Sequence, residues 1–344
     1  MGLLGGCDEV GGNIYAPAPK TLTPWETETR RATRERRVRN RVRRQKYRRR
    51  RLILFLGLLA VILLLFLVPT KDSEPVSSVR MPTVEASLTP PLTTGNLEDK
   101  LRQISSTHPG SYGVVVHDPS SGQTVSLNSN KTFAAASLAK LPVLLTLYEG
   151  AARGEIDLNE KITLRPEDVA AYGSGVLQNH PPGETMTLRE CAEYLIKESD
   201  NTAWVMLEKR LGKKRIRAEI VALGASSTDY KSNTTTPNDI LLILQAIADP
   251  TFTTPKLSAE MLDIMTNTAY EDRLPKPLPT GTRVAHKIGS YTDTFSDAGV
   301  VFPKDSEVNN YFVVVMSSET SEEDARSAIR MMSLSTYRTL VGES

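Results

Sequence analysis

The pattern of apolar and polar positions divides the chain. Residues 1–29 are polar, with scattered Gly, Pro and Thr and no sustained period, so no packed element is predicted there. Residues 52–68, LILFLGLLAVILLLFLV, are instead seventeen uncharged apolar residues in a row. As a helix they would reach about 26 Å, close to the ~30 Å hydrocarbon core of a bilayer, so one transmembrane helix is expected over 52–69. Residues 70–95 are rich in Pro, Ser and Thr without apolar periodicity, which predicts an extended linker. A folded texture begins at about Asn96 and runs to Ser344.

Within 96–344, NLEDKLRQISS predicts a short amphipathic helix, and SYGVVVHDPSSGQTVSLN predicts two strands joined by a Pro-Ser-Ser-Gly turn. AAASLAKLPVLLTLYEGAA is an apolar, Ala/Leu-rich helix with a stop near Gly154. LRECAEYLIKESDNTAWVMLEKRLG carries apolar residues at helical spacing on both sides of an SDN triplet. TTTPNDILLILQAIAD opens another helix, with Thr236 at N-cap, Pro237 at N1 and Asp239 at N3. RVAHKIGS, DAGVVFP and NYFVVVMSS return to strands, followed by a closing helix from about Ser321. The order predicts an α+β domain, an α/β sandwich whose antiparallel sheet is built from both ends of the segment with a helical subdomain inserted.

Charge sharpens the division. The net charge of +2 averages opposite regions: residues 30–51 hold fourteen Lys/Arg against Glu35 alone, leaving 28 of the 42 bases and 39 of the 40 acids elsewhere. Such a run suits a nucleic-acid arm or a juxtamembrane anchor. Its position directly before 52–69 favours the anchor, with anionic lipid a sufficient partner and nucleic acid set aside. By the positive-inside rule, residues 1–51 form a cytoplasmic basic tail and 96–344 lie outside the cell membrane as a single-pass protein's outer domain. Cys7 and Cys191 suggest neither a disulfide framework nor a metal cluster, and LLGGC before Cys7 lacks the apolar segment a lipoprotein signal needs. His108, His117, His180 and His286 are dispersed without metal-ligand spacing, and no phosphate loop or redox motif occurs, so no cofactor is expected. His286 should face away from its neighbour Lys287 and is read as structural.

The candidate chemistry starts at FAAASLAK, residues 133–140. Ser137 and Lys140, three apart, share one helical face, a nucleophile beside a base. Alone, the pair is a chance-level pattern on what reads equally as a core helix with Ser137 near its N-cap. Two triplets follow it in order: Ser199-Asp200-Asn201 in the helical middle and Lys287-Ile288-Gly289 on a late strand. An acyl-transfer site needs a lysine of depressed pKa to activate the serine, through burial or a second cation, and Lys287 is placed to be that cation and to attract a carboxylate. Ser199 is suited to relaying a proton to a leaving nitrogen, and Asn201 to holding a substrate amide or orienting Lys140. Asp200 reads as structural, since SDN is also a helix N-cap cluster.

With these residues in order, 96–344 resembles a class A β-lactamase-type serine hydrolase, a relative of the penicillin-binding D,D-peptidases. The resemblance implies an oxyanion hole from the backbone N–H groups of Ser137 and Ser290 beside Gly289. It also implies that the Gly173-Ser174-Gly175 loop borders the substrate, with Tyr172 or Ser174 as a wall; an ordinary Gly turn is the equal alternative.

Two departures qualify the expected activity. The family's β-lactamases carry a glutamate on a loop between SDN and the TTTP helix, where it activates the deacylating water. Here Glu208 and Glu219 are the only glutamates between Asn201 and Thr236, and both belong to helical segments. An acyl-enzyme that hydrolyses slowly is therefore expected. Ile288 also replaces a hydroxyl residue that binds the substrate carboxylate, Ser290 lies one position too far on the strand, and SDAGVV supplies no arginine. The resulting expectation is a membrane-anchored serine hydrolase, monomeric in its catalytic domain, acylated at Ser137 by a β-lactam or a peptidoglycan-like peptide. The alternatives are a D,D-carboxypeptidase or transpeptidase, and a non-catalytic module that binds cell-wall fragments.

Overall fold

The computed structural model describes residues 94–304 and 310–342. The basic tail, the expected membrane helix at 52–69 and nearly all of the 70–95 linker lie outside the described residues. Among the described residues, no helix is long and apolar enough to cross a membrane.

The domain is built on a five-stranded antiparallel sheet. Strands β1 (Ser111–Asp118) and β2 (Gln123–Leu127) come from one end of the segment, and β7 (Arg283–Tyr291), β8 (Thr294–Phe302) and β9 (Tyr311–Ser318) from the other. Their order is β2-β1-β9-β8-β7, so β1 pairs with β9 and the two ends of the segment meet in the sheet's middle. Strand alternation puts both faces to use. Val114 and Val116 of β1 join Val313 and Val315 of β9 in a core with Leu97, Leu101, Ile329 and Met332, under helix α1 (Thr94–Thr107) and the closing helix α8 (Glu322–Val341). Val115 and Val314 point the other way, into a core shared with the inserted helices. The sheet is therefore buried on both sides, which explains why its late strands read as unbroken apolar runs.

The insertion contains α2 (Leu141–Ala152), α3 (Leu188–Lys197), α4 (Asn201–Leu211), α5 (Lys213–Ala222), α6 (Pro237–Ala248) and α7 (Pro255–Ile264), with two-stranded pairs β3 (Phe133–Ala134) with β6 (Thr234–Thr235) and β4 (Lys161–Thr163) with β5 (Thr185–Thr187). The predicted start of α6 is met: the Thr236 side chain accepts from the Asp239 N–H, with Pro237 in the first turn. The closing helix begins as expected, the Ser321 side chain accepting from the Asp324 N–H. One element differs from its pattern. Ser137 lies not in an α-helix but in a 3₁₀ turn, Ala136–Lys140, that leads into α2. The tighter winding suits the chemistry, because residues three apart eclipse one another in a 3₁₀ turn.

His286 of β7 is buried, as its structural reading requires. Its Nδ1 lies 2.8 Å from Asp297 of β8 and its Nε2 3.2 Å from Glu271 of the segment before β7. Burial pulls its pKa down, but the charge of Asp297 and the hydrogen bonds to Asp297 and Glu271 outweigh this and raise it from 6.5 to about 9. A histidine whose pKa is raised on folding contributes stability in full below its unfolded value, and loses that contribution as pH rises through the folded value. The His286 contribution is thus expected to decline between pH 6.5 and about 9, so the melting temperature of the wild type relative to His286→Gln should fall as pH rises across that range.

Candidate active site

Three segments distant in sequence meet at Lys140. The 3₁₀ turn brings Lys140 Nζ to 2.9 Å from Ser137 Oγ. The same amine donates to the Ser199 carbonyl at 2.6 Å and to Asn201 Oδ1 at 2.8 Å, with Ser199 Oγ at 3.2 Å. From β7, Lys287 Nζ donates to Ser199 Oγ at 2.9 Å. The five residues Ser137, Lys140, Ser199, Asn201 and Lys287 therefore form one continuous hydrogen-bonded cluster.

The backbone that presents them is constrained. Ala136 and Ser199, neither of them glycine, hold positive φ of 48° and 51°, in the left-handed region that persists only where surroundings impose it. Beside Ser199, Asp200 fixes the turn. Its Oδ1 caps α4 at the Ala203 N–H (2.9 Å), while Oδ2 accepts from the N–H groups of Val176 (2.6 Å) and Leu177 (2.8 Å). The SDN triplet thus does two things: Asp200 caps, while Ser199 and Asn201 reach the cluster. Gly175 has φ of 119°, and a Cβ there would lie 2.3 Å from the Asp200 carboxylate, so only glycine permits this closure.

The Gly173–Gly175 loop does border the cluster. Ser174 Oγ donates to the Ser199 carbonyl at 2.7 Å, the Asn201 N–H to the Ser174 carbonyl at 3.0 Å, and Asn201 Nδ2 to the Tyr172 carbonyl at 3.0 Å. Tyr172 itself is 70% exposed, at the margin. On the opposite side, β7 runs against the 3₁₀ turn. A Cβ on Gly289 would stand 2.9 Å from the Ala135 carbonyl oxygen, so the glycine of the third triplet lets Ser290 come up beside the turn that carries Ser137.

Burial sets the electrostatics. Lys140 is fully buried, and desolvation pushes its pKa from 10.5 down to about 7, with Asp200 pulling the other way. Of the two causes offered by the sequence, burial is the one at work on Lys140. The second-cation effect falls on Lys287, whose pKa is lowered well below the usual lysine value by burial first and then by Lys140.

Sequence reasoning missed an arginine. The segment before β7 places Arg273, almost fully buried, against the sheet, where Nη1 donates to the carbonyls of Gly289 (3.0 Å) and Ser296 (2.6 Å) and Nη2 donates to Ser290 Oγ (2.6 Å). SDAGVV supplies no arginine, but this strand receives one from elsewhere in the chain. The guanidinium arrives from a loop whose local pattern, EDRLPKP, gives no sign of it. Ile288 is buried. Trp204 and Tyr230 were also missed, and Glu208 was read only as part of a helical segment, although Asn201, Trp204 and Glu208 at i, i+3 and i+7 share one face of α4. Among the described residues, no group of His, Cys, Asp and Glu is arranged to hold a metal.

This arrangement agrees with comparisons to known proteins. The chain matches the Beta-lactamase enzyme family over residues 96–340. Beta-lactamase VEB-1 of Pseudomonas aeruginosa is 25% identical over 255 residues, covering 67% of this chain and 85% of that protein. Beta-lactamase 1 of Bacillus cereus is 32% identical over 232 residues, covering 62% and 72%. Among solved structures, PBP-A is 29% identical with a TM-score of 0.66, over 71% of this chain and 95% of that one. A PBP-A mutant solved as an acyl-enzyme complex with penicillin G is similar to the same degree, at 27% and a TM-score of 0.66, covering 71% and 96%. The chain belongs to the beta-lactamase enzyme family and is a serine hydrolase of the β-lactamase and penicillin-binding superfamily.

Proposed function

We propose that this protein is acylated at Ser137 by β-lactams or peptidoglycan-like peptides and releases the acyl group slowly. The observation that carries the acylation step is the bonding of Lys140. A neutral amine has two N–H donors and one lone pair. The Ser199 carbonyl and Asn201 Oδ1 take the two donors, which leaves the lone pair facing Ser137 Oγ at 2.9 Å. The amine then accepts the Ser137 proton as Oγ attacks the carbonyl carbon. The proton passes on through the Ser199 hydroxyl to the leaving nitrogen, with Lys287 donating to Ser199 and supporting that transfer. Backbone N–H groups of Ser137 and Ser290 are the proposed donors to the developing oxyanion.

Slow release is supported by the segment between α5 and α6. Its only carboxylate, Asp229, accepts from the Lys231 N–H and the Ser232 hydroxyl in its own exposed turn, so no acid there is turned toward Ser137. The same lack favours the second reading, a D,D-carboxypeptidase or transpeptidase. D-alanyl-D-alanine carboxypeptidase DacF of Bacillus subtilis is 24% identical over 143 residues, 40% of this chain and 36% of that protein.

The substrate carboxylate is proposed to dock at Ser290. With Arg273 donating to Ser290 Oγ, the serine O–H is free to donate to an anion, and the buried guanidinium adds charge nearby. Arg273→Ala is expected to raise the penicillin G concentration for half-maximal acylation about tenfold, with a smaller change in the limiting rate, measured by stopped-flow labelling.

Anchoring by 52–69 with the N-terminus in the cytoplasm is proposed from the apolar run and the Arg run before it. Protease added to intact cells should digest the domain after residue 95, and full protection would overturn that topology. The acylation proposal is tested by intact mass after penicillin G: a stoichiometric, long-lived adduct is expected, absent in Ser137→Ala. Rapid turnover of a chromogenic cephalosporin would refute slow release. Absence of both labelling and turnover would leave the binding-module reading.

A further inference from the structure

We propose that Trp204, held by Tyr230 and Glu208, is the water-excluding wall of the acylation site and sets how long an acyl group stays on Ser137. This rests on the slow-release reading above and gives it a physical cause beyond a missing acid.

The Trp204 ring lies beside the Lys140 amine that Ser137, Ser199 and Asn201 bond, its centroid 5.2 Å from Nζ. The indole is held in place. Its Nε1–H donates to the Tyr230 hydroxyl at 2.8 Å, and the Tyr230 O–H donates to Glu208 Oε2 at 2.9 Å. Glu208 Oε1 is in turn 2.9 Å from Lys213 Nζ. Tyr230 meets Trp204 edge-on at an interplanar angle of 65°, and Tyr230 is itself buried. Trp204 is thus gripped from α4 and from the segment between α5 and α6.

That segment also packs closely on the nucleophile's turn. The gap between them, bordered by Leu138, Ala139, Pro142 and Tyr230 but by neither Ser137 nor Trp204, has a volume of about 10 Å³ and reports how tightly the segment braces the turn. A cavity needs roughly 10–15 Å³ to hold a single water, so this one is at or below the limit.

Release of the acyl group needs a water at the ester carbon and a base for its proton. The water oxygen bonds to the acyl carbon and its proton passes to Lys140 Nζ. The bond from that carbon to Ser137 Oγ then breaks, and Oγ recovers the proton from Lys140. A base is thus already present in Lys140, and what the wall withholds is room for the water. Opening the wall should speed release even without a carboxylate, a result that absence of the acid alone does not predict.

The test follows penicillin G adducts of the full-length chain by intact mass after free antibiotic is removed, with acylation rate and melting temperature measured separately. Trp204→Ala is expected to shorten the adduct's lifetime about tenfold or more, Tyr230→Phe about threefold through loss of the indole's acceptor, and Trp204→Phe by an intermediate factor. The accelerated release should rise with pH through about 7, following Lys140. A role confined to stability would lower the melting temperature and leave release as in the wild type. A Trp204→Ala protein that folds and is acylated but keeps the wild-type lifetime overturns the proposal. Should Trp204→Ala not fold, a wild-type lifetime in Tyr230→Phe overturns it. A wild-type adduct that is gone at the first time point refutes slow release itself, before any variant is compared.

Discussion

Lys140→Met is expected to slow acylation of Ser137 by penicillin G about 100- to 10,000-fold, the range that loss of a general base covers. Methionine fills the lysine's apolar path, so the loss should be chemical and not structural. In the wild type the acylation rate should rise with pH and reach half its plateau near 7, because only the neutral amine accepts the Ser137 proton and burial has moved its pKa there. The stability data should carry the opposite face of the same shift. Between about 7 and 10.5 the folded state binds fewer protons at Lys140 than the unfolded state does, so the wild type loses stability as pH falls through that window. Lys140→Met lacks this loss and should melt higher relative to wild type at pH 7 than at pH 10. A Met variant that is acylated at the wild-type rate would remove Lys140 from the mechanism.

The largest structural effect is expected at Asp200. Replacing it by Ala strips the partner from the N–H groups of Val176, Leu177 and Ala203 at once. Lost hydrogen bonds to a charged acceptor and the lost helix cap together cost about 4 kcal/mol or more, which lowers the melting temperature by about 10 °C at roughly 2–4 °C per kcal/mol for a domain of this size. Acylation should fall with it, since Ser199 and Asn201 flank Asp200 and supply three of the four oxygen partners of Lys140. Asp200→Asn retains an acceptor for only part of this set, and its melting temperature should lie between the two, as calorimetry can show.

The inserted α+β architecture was legible because its causes are local. Alternating and continuous apolar runs define the strands, and Thr236 and Ser321 mark helix starts through their own side chains. The ordered triplets identified five cluster residues for the same reason, since each motif is a short segment whose residue types suit the chemistry. What stayed hidden has no local mark. Arg273 sits in a loop and acts on Ser290, seventeen residues away. Tyr230 reaches Trp204 across a helix and a turn. The balance between Asp297 and burial at His286 depends on strand pairing that brings residues eleven apart to hydrogen-bonding distance.

By itself the sequence determined which five residues form the cluster, the order in which strands and helices occur, and that the two glutamates between SDN and the TTTP helix belong to helical segments. Only the tertiary structure decided how that chemistry is tuned. The lowered pKa of Lys140 is a property of its burial, Ser290 is met by a guanidinium delivered from another loop, and the indole beside Lys140 is held from two elements. Each is an effect of distance and dielectric among groups far apart in the chain, which become neighbours only when the sheet closes over the inserted helices.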